Sequence, residues 1–124
     1  MDSNKVADLI YTFLSTKHTR VYRNKAPQSP VFPYVIFDCE SVDDAFPSSD
    51  YTVYVDVYDA PTATVRALVT LADSIDSSFT GLIINDSALN LHIQSKMIRQ
   101  YVPVKELVSS QMINMQFSAR VYFK

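Results

Sequence analysis

The hydrophobic period changes several times along this chain, and each change marks a predicted element. Val6, Leu9, Ile10, Phe13 and Leu14 recur at helical spacing, which predicts a helix over residues 3–16 with Asp2 or Ser3 as its cap. Arg20-Val21-Tyr22-Arg23 reads as a short strand. Pro27, Pro30 and Pro33 then exclude regular pairing and predict an extended crossing. The β-branched and aromatic content of residues 34–40 makes a strand, and residues 41–49 read as an acidic, mobile loop. In the next strand Val53, Val55 and Val57 alternate with Thr52, Tyr54, Asp56 and Tyr58, so one face belongs to the core. Pro61 suits the first turn of a second helix, whose stripe is Val65, Leu68, Ala72, Ile75 and Phe79 and whose stop is Gly81. Residues 82–84 and 89–99 flank the polar turn Asn85-Asp86-Ser87 and predict an antiparallel pair. Residues 101–110, interrupted by Pro103, form the expected loop before the last strand. That strand has the strictest alternation: Ile113, Met115, Phe117, Ala119, Val121 and Phe123 against Asn114, Gln116, Ser118, Arg120 and Tyr122.

The order α-β-β-β-α-β-β-β predicts an α+β domain: a mixed, mainly antiparallel sheet with two helices packed on one face. All of residues 1–124 are expected to form one domain, since this length buries about two-thirds of the unfolded surface. The opposite sheet face would then expose Tyr54, Tyr58 and Tyr122 beside small polar groups, an amphipathic surface suited to burial against another copy or another protein.

Charge changes the picture by exclusion. A net charge of −2 and a pI near 5.5 argue against a protein built to grip nucleic acid phosphates. The tyrosines of residues 51–58 sit among acids, whereas a stacking platform for single strands needs interleaved bases. A small sheet-faced nucleic-acid or ligand binder is therefore the weaker alternative. No apolar run approaches the ~20 residues that cross a bilayer, and the start of the chain lacks a signal peptide's basic and apolar regions. No membrane partner is expected, and the chain reads as cytosolic.

Candidate chemistry is sparse. Gly81 is the only glycine, which removes glycine-rich phosphate loops and the dinucleotide fingerprint. Cys39 is the only cysteine and lies in a predicted strand, where a buried structural thiol is usual; it could pair with His18 or His92 as a nucleophile, yet nothing around it resembles a nucleophile turn. His92 falls on the polar side of its strand, and Asp43-Asp44 offers too few oxygens for a hard cation. No catalytic residue, metal site or cofactor is expected.

Charge is also segregated. Asp38, Glu40, Asp43, Asp44, Asp50, Asp56 and Asp59 fall between Ala26 and Val65 with no lysine or arginine, while Lys17, Arg20, Arg23 and Lys25 fall together with no acid. Either the acids serve solubility, or opposite patches meet between neighbouring protomers and set their register. On the second reading Arg20, Arg23 and Lys25 of one protomer approach Asp43, Asp44 or Asp56 of the next.

The layout resembles the tail terminator (tail completion) proteins of long-tailed bacteriophages. The resemblance runs over nearly the whole chain and rests on order and spacing: the short N-terminal helix, the basic strand of residues 20–25, the Ala26-Pro27 turn and the Pro33-Tyr34-Val35-Ile36-Phe37 strand come first. Val55-Asp56-Val57-Tyr58-Asp59 then leads into a helix, and the final strand ends Arg120-Val121-Tyr122-Phe123. The resemblance implies a structural protomer of a hexameric ring that caps the tail tube, stops its growth and presents the surface joined by the head-completion connector. Its partners would be itself, the tail tube protein and that connector, with DNA passing through unread. It would assemble in the host cytoplasm and reside at the head-proximal end of the virion tail. Another head-tail connector or tail component is the nearest alternative.

Overall fold

A computed structural model of the chain describes residues 3–28, 30–45, 48–102 and 110–124, with the side chains of residues 43–45 outside that description. The order is α1 (Ser3–Ser15), β1 (Val21–Arg23), β2 (Tyr34–Ala45), β3 (Ser48–Asp59), α2 (Val65–Phe79), β4 (Ile83–Asn85), β5 (Leu89–Val102) and β6 (Gln111–Phe123). The fold is α+β, with a six-stranded mixed sheet ordered β1-β2-β3-β6-β5-β4. Only β1 and β2 run parallel; every other neighbouring pair is antiparallel.

Alternation decides which side of the sheet is inward. Register places Phe37 beside Val55, Val55 beside Met115, and Val53 beside Phe117, and all of these are buried. Helix α1 adds Val6, Ala7, Ile10 and Leu14 to this core, and α2 adds Leu68, Ala72, Ile75 and Phe79. The ring of Phe13 on α1 stacks on Phe79 of α2 at 5.4 Å, and Phe79 meets Phe117 of β6 edge-on at 4.9 Å. A hydrogen bond of 2.8 Å between the Ser3 and Tyr51 hydroxyls ties the start of α1 to β3.

Three expectations require correction. Residues 41–49 were expected to be a loop, but β2 continues to Ala45 and β3 begins at Ser48, with a register shift between Ser41 and Asp43. The third strand's other neighbour supplies the reason: Ser48, Ser49 and Asp50 pair with Tyr122, Val121 and Arg120 of β6, and a long partner ladder overrides weak strand propensity. Helix α2 begins at Val65 rather than around Pro61, because the Thr64 side chain caps it by accepting the Ala67 N–H, while residues 60–63 form a turn closed by Ala63 N–H to Ala60 C=O. Val65 is consequently exposed in the first turn and does not join the buried stripe. Strand β5 runs on to Val102, and the remainder of the expected loop, residues 103–109, lies outside the described residues.

The stops follow the sequence. Gly81 takes φ +70 after the Thr80 cap, with nothing near the position of an added Cβ, so backbone conformation alone favours glycine there. Asn24 takes φ 72 and diverts the chain at the end of β1. In the Asn85-Asp86-Ser87 turn, Asp86 accepts the Ala88 N–H and its own N–H reaches Leu89 C=O.

Candidate interaction surface

The outward side chains of β2, β3 and β6 form a face of tyrosines and paired polar groups. Strand alternation puts them there, and register decides who meets whom. Asp56 lies opposite Asn114 and accepts its side-chain N–H; Asp50 lies opposite Arg120 and the two form an ion pair of 3.2 Å. The Tyr54 hydroxyl donates to Glu40 at 3.1 Å. Burial raises the Asp56 carboxyl above its ordinary value and the Asn114 bond only partly offsets this. Bonds to Asp50 and then Tyr122 hold the Arg120 guanidinium more firmly protonated.

Of the three tyrosines expected to be exposed, only Tyr122 is, at 40 %. Tyr58 is half-buried because its ring stacks on Tyr34 at 5.0 Å; Tyr34 in turn carries the ring of Phe32 at 5.4 Å and the edge of Tyr22 at 6.2 Å. The proline-bearing connector therefore lies over this corner of the face. Its path is held by His18 Nε2 at 2.8 Å and Arg20 Nε at 2.9 Å, both on the Pro33 carbonyl, with Arg20 Nη2 3.4 Å from the Phe32 carbonyl. The Phe32-Pro33 peptide is cis. Burial raises the phenols of Tyr34 and Tyr58. Tyr54 is half-buried, with its phenol raised by burial and by its bond to Glu40.

The charged residues assigned to an interface are mostly occupied within their own chain. Arg20 holds the connector; Arg23 lies 3.5 Å from Asp38 and donates to the Asn4 side chain at 2.9 Å. Lys25 is exposed. Asp56 is half-buried beside Asn114, and the side chains of Asp43 and Asp44 lie outside the described residues. Within one chain the fold does not gather the three bases with Asp56.

Two arrangements escaped the sequence pattern. Asp76, only 8 % exposed, receives Lys96 Nζ at 3.0 Å and Arg99 Nη1 at 2.9 Å, and Asp73 takes the other Arg99 nitrogen at 2.6 Å. Burial works against the Asp76 charge, but the two cations outweigh it and lower the carboxyl below its ordinary value. Asp73, Asp76, Ser77 and Arg99 line an open cleft of about 290 Å³. The available signal was an acid pair three residues apart on α2 and Arg99 where strand β5 should have continued its apolar phase; Lys96 lies on the other phase and is turned inward only by the register shift between Ile93 and Ser95. Gln111, 2 % exposed, donates to the Ala60 and Ala63 carbonyls and accepts from the Tyr101 hydroxyl, which fixes the turn before α2.

Cys39 is buried and its thiol is pushed up to about 11, by burial and then by Asp38. A thiol so raised is a poor nucleophile. Among the described residues no three His, Cys, Asp or Glu side chains gather as metal ligands, and no helix is long and apolar enough to cross a membrane. No protein-family model matches the chain, and no relative is found among the curated proteins.

Proposed function

We propose that this protein is a structural assembly subunit, a tail-terminator-like protomer that closes into a homo-hexameric ring on the phage tail tube. The ring stops tube growth and presents the surface joined by the head connector, while DNA passes without being read. The observation that carries this reading is the wide sheet face whose polar groups are already paired across strands, in the element order on which the resemblance rests. A face of half-buried tyrosines and matched polar pairs loses little electrostatic solvation when another protein covers it. A nucleophilic role for Cys39 is disfavoured by its raised thiol.

Molar mass by light scattering over a concentration and salt series, followed by retention of purified tail tube protein, tests the proposal. A hexamer that retains tube protein is expected. A monomer at every concentration that also fails to retain tube protein would overturn it. Arg23→Glu is a poor probe of the ring, since it breaks contacts with Asn4 and Asp38 inside the protomer.

A further inference from the structure

The two lateral edges of the sheet have complementary steps. The pairings can be followed across the sheet: Tyr22 is level with Ile36, Asp56, Asn114 and Gln100, so β1 lies at the height of Gln100 in β5. At the other end, Ile83 is level with His92, Arg120, Asp50 and Asp43, so β4 lies at the height of Asp43 in β2. One edge therefore projects by one strand where the other is recessed. Among the described residues no strand pairs with β2 beyond Phe37, nor with β5 beyond His92, on these outer sides.

We propose that the β4/β5 edge of one copy laps onto the β1/β2 edge of the next, so that the sheet continues from protomer to protomer. This rests on the self-assembly reading above and names the surface that performs it. When copies stand side by side at one height with their strands in the same sense, β1 of one fills the recess beside β5 of its neighbour. Strand β4 of that neighbour fills the recess above β1 beside β2. Strand direction agrees: β1 follows β2, β5 opposes it, and the β1–β5 contact is antiparallel. Between the two short strands, Val42 from one side and Met97 and Ile98 from the other occupy the seam; these side chains are 63 %, 50 % and 43 % exposed in the single chain, and Ile83 of β4 is 58 % exposed. Two register shifts in β5, between Ile93 and Ser95 and between Lys96 and Ile98, take Gln94 and Met97 in turn out of the ladder with β6 and guard the edge against unspecific pairing. The bases at the seam bring little free charge, because Arg23 is paired with Asp38 and Arg99 with Asp73 and Asp76. The contact joins unlike surfaces, so it repeats head to tail and, once closed into a ring, leaves no sheet edge open.

Oxidation of a Tyr22→Cys, Gln100→Cys double variant tests the seam. Within one chain these positions are four strand spacings apart, about 19 Å, too far for a disulfide. Across the seam they are direct neighbours. A ladder of covalent oligomers beyond the dimer is expected from the double variant and from neither single variant. Ile98→Lys should shift the assembled mass to monomer, while Val65→Lys, on the exposed first turn of α2, should leave it unchanged. Oligomers that form without cross-linking and tolerate Ile98→Lys would place the contact elsewhere and leave the ring reading standing. Dimers from Gln100→Cys alone would replace the lap with β5 pairing to itself. A monomer throughout would overturn the seam, and the ring reading with it where tube protein is not retained either.

Discussion

Strands β5 and β6 lie side by side over almost their whole length, yet they solve different problems. Strand β6 has neighbours on both sides and alternates buried with half-buried from Gln111 to Arg120. Strand β5 does the same only through Leu89, Leu91 and Ile93; beyond the first register shift it is mostly exposed, and its inward positions become Lys96, Arg99 and Tyr101. Two neighbours and a helix demand apolar alternation, whereas an edge held by one neighbour is fastened by ion pairs to Asp73 and Asp76 of α2. Strict alternation marks the sheet centre, and its breakdown marks a margin open to partners.

Truncation at the centre should cost the most. Phe117→Ala removes the fully buried ring that meets Phe79, and a loss of about 3–5 kcal/mol in denaturant unfolding is expected. Asp76→Asn should cost less, about 1–2 kcal/mol, since Lys96 and Arg99 retain solvent access when released. Its distinguishing sign is faster amide exchange confined to residues 94–102, with 89–93 unchanged; uniform acceleration along β5 would deny that the margin is fastened separately.

Acid should expose the same fastening. Asp76 is held below its ordinary value of 3.8, so its contribution is fully present above that pH and is lost as pH falls through the lower folded value. The stability gap between wild type and Asp76→Asn should close there. Asp56 behaves in the opposite sense: its raised carboxyl favours folding below 3.8, and that contribution is lost as pH rises through the folded value. Asp56→Asn keeps an acceptor for Asn114 and should gain about 0.5 kcal/mol at neutral pH and nothing in acid. Smallest of all, Ile98→Lys should change protomer stability by less than about 0.5 kcal/mol, since its side chain is exposed at the edge.

Much of this was legible in the residues. Spacing alone located both helices and the inward valines of β3, and it gave β6 the strictest alternation, because a 3.6 or 2.0 period is a local property of one segment. Candidate interface residues were less legible. Arg20 was read from its charge as a surface contact, but it is an internal clamp on the connector, a role that exists only once residues 18–20 and 32–33 meet. Tyr58 alternated outward as expected, yet its burial depended on Tyr34 and Phe32 arriving over it.

The sequence by itself determined which side is apolar in the inner part of β3, in the first half of β5 and in β6, where α2 stops at Gly81, and that a polar turn joins β4 to β5. Only the tertiary structure decided that residues 41–45 and 48–50 are strand rather than loop, that Lys96 and Arg99 answer Asp76, and that β1 and β4 sit at opposite heights on opposite edges. Periodicity records the environment of a single segment. Ladder length, ion-pair partners and edge outline depend on residues far apart in the chain, whose meeting no local pattern encodes.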